Sequence, residues 1–140
     1  MSEQPTTSRV LVVSDMKDAG RFLGRVLEDS GLEIVTCSSD DVAIELASSF
    51  PAFDAVLGDS IGEPVVRRVR NLADPDRAAT PIVILAPYHA NDADAVMTAG
   101  ATSYLTRPIA EHDLVGAVRA VLTDDSSTPG QTGSTNTDER

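Results

Sequence analysis

The stretch Arg9-Val-Leu-Val-Val-Ser-Asp15 runs from four consecutive apolar side chains into a hydroxyl and a carboxylate. A continuous apolar run of this length is typical of a central parallel β-strand, which helices cover on both faces. Two more runs of the same character occupy residues 55–57 and 82–85. Weaker candidates for outer strands are residues 34–37 and 103–105. The sequence therefore predicts a five-stranded sheet whose first strand ends in polar side chains.

Segments with the apolar spacing of amphipathic helices separate these strand candidates. The clearest is the last, with apolar side chains at Leu114, Ala117, Val118, Val121 and Leu122. Four more segments lie within residues 22–27, 42–47, 65–72 and 93–97, and the expected boundary residues are Asp40, Pro64, Asn91 and Gly100. Strands that alternate with helices favour an α/β fold. Five such units predict a doubly wound five-stranded parallel sheet with the flavodoxin-like strand order 2-1-3-4-5 and five helices.

The composition indicates one folded domain with disordered ends. The chain has 140 residues, and residues 124–140 contain no large apolar side chain whose burial could offset the entropy cost of ordering. Residues 1–8 resemble them, which places the folded domain at residues 9–123.

Charge and apolar patterning narrow the function classes. The formal net charge of −11, from 22 acidic and 11 basic side chains, argues against a nucleic-acid partner, because such affinity comes largely from Lys and Arg. The longest apolar runs, four residues, are far too short to cross a membrane, and the first residues lack the pattern of a signal peptide. A lone cysteine, Cys37, cannot form an internal disulfide. We therefore expect a cytoplasmic protein with no membrane contact.

Polar side chains that follow the first and third predicted strands mark the candidate site. In this fold, ligands bind beyond the carboxyl ends of the strands where strand order reverses, which is the position of Asp15 and Asp59. Two aspartates and a backbone carbonyl such as that of Ile61 could hold Mg²⁺, and Arg107 after the last strand could reach the same crevice. The alternative is that these aspartates cap helices or are simply solvated.

Four separated motifs resemble the receiver domain of bacterial response regulators across residues 9–123. They are Arg9-Val-Leu-Val-Val-Ser-Asp15, Phe53-Asp-Ala-Val-Leu-Gly-Asp59, Thr80-Pro-Ile-Val-Ile-Leu-Ala86 and Gly100-Ala-Thr-Ser-Tyr-Leu-Thr-Arg-Pro108. The resemblance implies that Asp59 accepts a phosphoryl group from a histidine kinase or phosphotransfer protein and that Asp15 and Asp59 hold Mg²⁺. It further implies that Tyr104 is the aromatic side chain that reports the change between the two conformations of the domain.

The sequence departs from the receiver pattern at four places. Ser14 stands where an acid is usual and adds no charge, so it would help only weakly through a metal-bound water. Ala86 stands where Ser or Thr would hold a phosphoryl oxygen. Arg107 replaces the usual lysine, and its planar fork could form a two-pronged pair with Asp59. The loop after Asp59 is several residues shorter than usual, which weakens the case for the Ile61 carbonyl as a metal ligand.

Two versions of one function follow from this resemblance. The first is a single-domain response regulator in a two-component phosphorelay, with Asp59 as phosphoacceptor. The second is a phosphorylation-independent pseudo-receiver that acts as a fixed docking module. In both, the resemblance implies that a downstream protein contacts the fourth helix, the fifth strand and the fifth helix.

Two other functions fit single features of the chain. Gly58-Asp-Ser-Ile-Gly62 matches the nucleophile elbow of a serine esterase, but neither His89 nor His112 has a Gly-rich oxyanion loop beside it. A flavin-phosphate site after the first strand is disfavoured because residues 14–18 carry two aspartates and no glycine. We interpret Cys37 as a buried small side chain and expect the arginines of the third helix on its solvated face, namely Arg67, Arg68 and Arg70.

Overall fold

The computed structural model describes residues 8–49, 52–59, 63–86 and 93–123. In chain order the elements are β1 (Arg9–Ser14), α1 (Lys17–Asp29), β2 (Glu33–Cys37), α2 (Asp40–Ala47), β3 (Ala55–Asp59), α3 (Glu63–Arg70), α4 (Pro75–Ala78), β4 (Ile82–Leu85), α5 (Ala93–Ala99), β5 (Ser103–Leu105) and α6 (Glu111–Thr123). Among the helices of these ranges, none combines the length and the apolar character that a membrane span requires.

The five strands form one parallel sheet in the order β2-β1-β3-β4-β5, as the sequence predicts. The central strands β3 and β4 are buried along their whole length, which explains their continuous apolar character. In the β1–β3 register Ser14 lies opposite Asp59, and in the β3–β4 register Asp59 lies opposite Leu85. The carboxyl ends of the three central strands therefore meet at one edge of the sheet.

Alternating side chains of each strand feed two separate apolar clusters, one on each face of the sheet. On one face Leu11 and Val13 of β1 pack with residues of α2, α3 and α5. On the other face Val10 and Val12 pack with residues of α1 and α6. Because both faces are covered by helices, the sheet is doubly wound.

Helix α1 approaches the sheet closely at two glycines one turn apart. A Cβ atom at Gly20 would lie 3.3 Å from Cβ of Ser14. A Cβ atom at Gly24 would lie 3.3 Å from the Cγ2 atoms of both Ile34 and Thr36. The missing side chains thus set the distance between α1 and the ends of β1 and β2.

The prediction of five helices is wrong, because the described residues also contain the single-turn helix α4. The side chain of Asp74 accepts a hydrogen bond from the Asp76 backbone at 2.9 Å, and Pro75 occupies the first turn. Four residues are too few to show an apolar period, so the helix pattern could not reveal it.

The predicted helix boundaries are met in part. Gly100 ends α5 with a φ of +123°, as predicted, but the cap of α2 is Ser39 rather than Asp40. The Ser39 hydroxyl accepts from the Val42 backbone at 3.4 Å, while Asp40 is the first residue of α2. Asn91 lies outside the described residues, as do the predicted disordered ends apart from residue 8.

Candidate functional site

The last residue of β3, Asp59, is the centre of the candidate site. Its side chain is 1% exposed, because it ends a central strand between β1 and β4. Ser14, its neighbour in register at the end of β1, is also 1% exposed. The Ser14 hydroxyl donates to Oδ2 of Asp59 at 2.8 Å and accepts from the Met16 backbone at 3.2 Å.

The guanidinium of Arg107, just after β5, lies against the other oxygen of this carboxylate. Its Nη2 forms an ion pair and a hydrogen bond with Oδ1 of Asp59. Its Nη1 donates to the backbone carbonyl of Ala86 at 2.6 Å. The sequence predicts that both terminal nitrogens of Arg107 pair with Asp59. In these contacts one nitrogen binds the carboxylate and the other binds a backbone carbonyl. We call Ser14, Asp59, Ala86 and Arg107 the Asp59 cluster.

The Asp59 cluster compensates a buried negative charge. A carboxylate removed from water is costly unless a cation and hydrogen-bond donors replace the solvent. Arg107 supplies the cation, and Ser14 supplies a donor to the second oxygen. Sequence reasoning found Asp59 and Arg107 but missed the carbonyl of Ala86, because a backbone acceptor leaves no trace in residue identity.

Asp15 lies at the same edge of the sheet, in the turn between β1 and α1, with an exposed side chain. The sequence predicts that Asp15 and Asp59 lie together in the site. In the structure the β1 residue that contacts Asp59 is Ser14. The remaining expected metal ligand, Ile61, lies outside the described residues.

The described residues fit Mg²⁺ poorly. Each oxygen of Asp59 already accepts a hydrogen bond, and one faces a guanidinium that repels a second cation. Ser14 contributes no charge where a magnesium site uses carboxylate oxygens. Within the described ranges, no three His, Cys, Asp or Glu side chains gather closely enough to hold a metal ion.

Tyr104 lies at the centre of β5, opposite Ile84 of β4. Its side chain is half-buried and packs against the apolar cluster that includes Ile84 and Val96. The ring therefore joins β5 to α5. Its role as a switch stays a prediction.

No family model and no curated protein matches the sequence. A solved structure assigned as a response regulator from Chloroflexus aurantiacus J-10-fl is 27% identical, with a TM-score of 0.75, and the match covers 84% of this chain and 98% of that one. The chain has the fold of a response-regulator receiver domain. The resemblance drawn from the four motifs is thereby confirmed.

Other receiver domains align over similar lengths. The chemotaxis response regulator CheY4 of Vibrio cholerae is 24% identical, with a TM-score of 0.72 over 83% of this chain and 99% of that one. The signal receiver domain of a histidine kinase from Syntrophus aciditrophicus is 20% identical, with a TM-score of 0.75 over 90% and 98% of the two chains. At these identities the similarity establishes the receiver fold alone.

Proposed function

We propose that this chain is a receiver-type protein of two-component signalling that works as a docking module without taking up a phosphoryl group. The observation that carries the proposal is the Asp59 cluster, in which both oxygens of the expected acceptor are held by neighbouring side chains. Asp59 as phosphoacceptor, the first of the two versions that the sequence predicts, stays a prediction. The structure favours the second version, for two reasons.

The first reason concerns the nucleophile. An oxygen of Asp59 would have to leave Ser14 or Arg107 before it could attack phosphorus, and the side chain is almost fully covered. Charge-assisted hydrogen bonds of this kind are roughly twice as strong as neutral ones. The ground state of the carboxylate is therefore stabilised, which raises the barrier to attack.

The second reason concerns the charge that develops during phosphoryl transfer. Catalysis of that transfer depends on cations and donors aimed at the phosphoryl oxygens. Ser14 brings no charge that could recruit a metal, and Ala86 has no hydroxyl to hold a phosphoryl oxygen. Arg107 remains as a cation, but it is directed at the carboxylate and at the Ala86 carbonyl.

The proposed contact face consists of α5, β5 and α6, which correspond to the fourth helix, the fifth strand and the fifth helix of the sequence prediction because α4 was not predicted. Met97 on α5 is 42% exposed, and Tyr104 on β5 is half-buried. A downstream protein that docks on this face would recognise one fixed shape. A histidine kinase or phosphotransfer protein as phosphodonor belongs to the version in which Asp59 is the phosphoacceptor. A cytoplasmic location without nucleic-acid binding is proposed for both versions. For the esterase alternative, the nucleophile Ser60 lies outside the described residues.

The test compares the wild-type chain with a triple variant that restores the usual receiver residues, Ser14→Asp, Ala86→Ser and Arg107→Lys. Amide NMR spectra are recorded with Mg²⁺ before and after addition of beryllofluoride, a non-covalent substitute for a phosphoryl group on a carboxylate. We expect the wild-type signals of α5, β5 and α6 to stay in place and those of the triple variant to move. Movement in the wild type that Asp59→Asn abolishes would refute the docking-module proposal.

A further inference from the structure

Three cations on helix α1 differ in their contacts from the other described cations of this acidic chain. The other described cations donate to a carboxylate or to a backbone carbonyl, as do Arg9, Arg67, Arg68, Arg70, Arg77, Arg107 and Arg119. Within the described part of the chain, no ion pair or hydrogen bond engages the side chains of Lys17, Arg21 and Arg25. They are spaced four residues apart and therefore share one face of α1.

Two of these cations border an open pocket of about 220 Å³ between α1 and the end of β2. Its polar lining consists of Ser14, Lys17, Arg21, Thr36, Cys37 and Ser38. Among the described residues, no Asp or Glu lines it. Gly20, which has no side chain to fill the space, separates the two cations on the wall of α1. We call this cavity the α1–β2 pocket.

The chemistry of the lining indicates the class of ligand. Two cations and the hydroxyl groups of Thr36 and Ser38 are donors suited to an anion with several acceptor oxygens, whereas the Ser14 hydroxyl already donates to Asp59. A phosphate monoester carries about two negative charges and three acceptor oxygens at neutral pH. The pocket is smaller than the roughly 300–1,000 Å³ typical of drug-sized ligands, which favours a small anion or the phosphate end of a larger one.

We propose that the α1–β2 pocket binds a small phosphate-bearing anion through Lys17 and Arg21. The nearest acidic residues in sequence, Asp15, Asp18 and Asp40, are not part of the lining. The pocket also borders Ser14, whose hydroxyl bonds to Asp59 on the other side. This site is distinct from the Asp59 carboxylate and does not depend on whether that carboxylate takes up phosphate.

The proposal is tested by NMR titration of the full chain with inorganic phosphate and, separately, glycerol 3-phosphate, at constant ionic strength. We expect saturable shifts at the amides of Thr36 and Ser38, with Arg21→Ala weakening the affinity about tenfold or more because a charge-assisted contact is lost. Arg25→Ala is the matched control, since Arg25 lies one turn further along α1 and does not line the pocket. It removes the same charge and should leave the affinity almost unchanged.

The two phosphate compounds distinguish the source of the ligand, because tighter binding of glycerol 3-phosphate would indicate an organic phosphate. The proposal is overturned if neither compound gives saturable shifts. It is equally overturned if Arg25→Ala weakens binding as much as Arg21→Ala, since the cause would then be the general field of α1.

A second measurement uses Cys37, the single cysteine of the chain. Because Cys37 lines the pocket, bound phosphate should slow its alkylation by iodoacetamide, read by intact mass. The protection should disappear in Lys17→Ala and persist in Arg25→Ala. Equal protection of Cys37 in the wild type, Lys17→Ala and Arg25→Ala, or protection in none of them, would overturn the proposal.

Discussion

At the scale of single residues, the pair of Asp59 and Arg107 is the contact with the largest expected effect. The carboxylate is 1% exposed and the Arg107 side chain 17%, so little solvent screens their interaction. Arg107→Ala removes the guanidinium from a buried charge, and we expect the free energy of unfolding to fall by about 3 kcal/mol. Urea unfolding followed by circular dichroism measures the change.

The control for this prediction is Arg67→Ala. Arg67 pairs with Glu63 on the surface of α3, where both side chains are more than a third exposed. An exposed pair of this kind contributes less than about 1 kcal/mol. If the two variants lost equal stability, the buried pair would not have the importance assigned to it.

The thiol of Cys37 gives a prediction on pH dependence. Burial raises the pKa of Cys37, and the nearby carboxylate of Asp40 raises this pKa further. A hydrogen bond with the Ser39 backbone acts in the opposite direction. Since the thiolate is the nucleophile, alkylation at neutral pH should be slower in the folded chain than in urea and should accelerate as pH rises. Asp40→Asn should speed alkylation of the folded chain by lowering this pKa. Equal rates in folded chain and urea would contradict the prediction.

At the residue scale, the sequence indicated which residues form the site but not which hydrogen bonds they make. The spacing of Asp59 and Arg107 predicted that they could meet in one crevice, and the structure has them in contact. The hydroxyl of Ser14 was expected to help bind a metal through water, whereas it donates to Asp59. Which of two neighbouring side chains points inward depends on strand register, which the motif alone does not determine.

At the scale of elements, Gly24 of α1 and Gly116 of α6 should respond differently to substitution by alanine. Gly116 has open space at its Cβ position, so Gly116→Ala should stabilise the chain by about 1 kcal/mol through helix propensity. Gly24→Ala gains the same propensity but brings its Cβ within 3.3 Å of Ile34 and Thr36. Thermal unfolding should therefore show a smaller gain, or a loss, for Gly24→Ala. An equal gain for both would mean that α1 does not need its close approach.

Arg70 of α3 joins α4 to the segments that precede β4 and β5, at the opposite edge of the sheet from Asp59. Its guanidinium donates to the carbonyls of Gly100 at 2.9 Å, and of Ala78 and Thr80 at 2.7 Å each. Burial lowers the pKa of this side chain. The expectation that Arg70 lies on the solvated face of α3 is therefore wrong, although Arg67 and Arg68 do lie there. The apolar period of α3 did not reveal that Arg70 lies at the turn where the chain folds back.

We expect Arg70→Ala to lower the free energy of unfolding by about 2 kcal/mol, because three carbonyls lose a charged donor. Amide hydrogen exchange should become faster at Ala101 and Ile82, which lie beside the released carbonyls. Arg68→Ala, which breaks the exposed pair with Asp41, serves as the control. Similar exchange in both variants would show that Arg70 does not connect these elements.

At the scale of the whole molecule, the sheet was the most predictable feature. Strands β1, β3 and β4 are buried on both faces, and their continuous apolar runs identified them directly. The strand order followed from the alternation of strands and helices. Helix α4 was missed because one turn has no period. The residue type of Arg107 could only suggest the contacts of the Asp59 cluster, since those contacts depend on how the ends of β1, β3, β4 and β5 lie relative to one another.

We infer that the receiver fold here holds Asp59, its expected acceptor carboxylate, within the contacts of the Asp59 cluster. The most direct test is denaturing intact-mass analysis after incubation with acetyl phosphate and Mg²⁺, because denaturation removes any phosphate held non-covalently. We predict no added phosphoryl group on the wild-type chain and one added group on the triple variant Ser14→Asp, Ala86→Ser and Arg107→Lys. One added group on the wild type that is absent from Asp59→Asn would contradict the account.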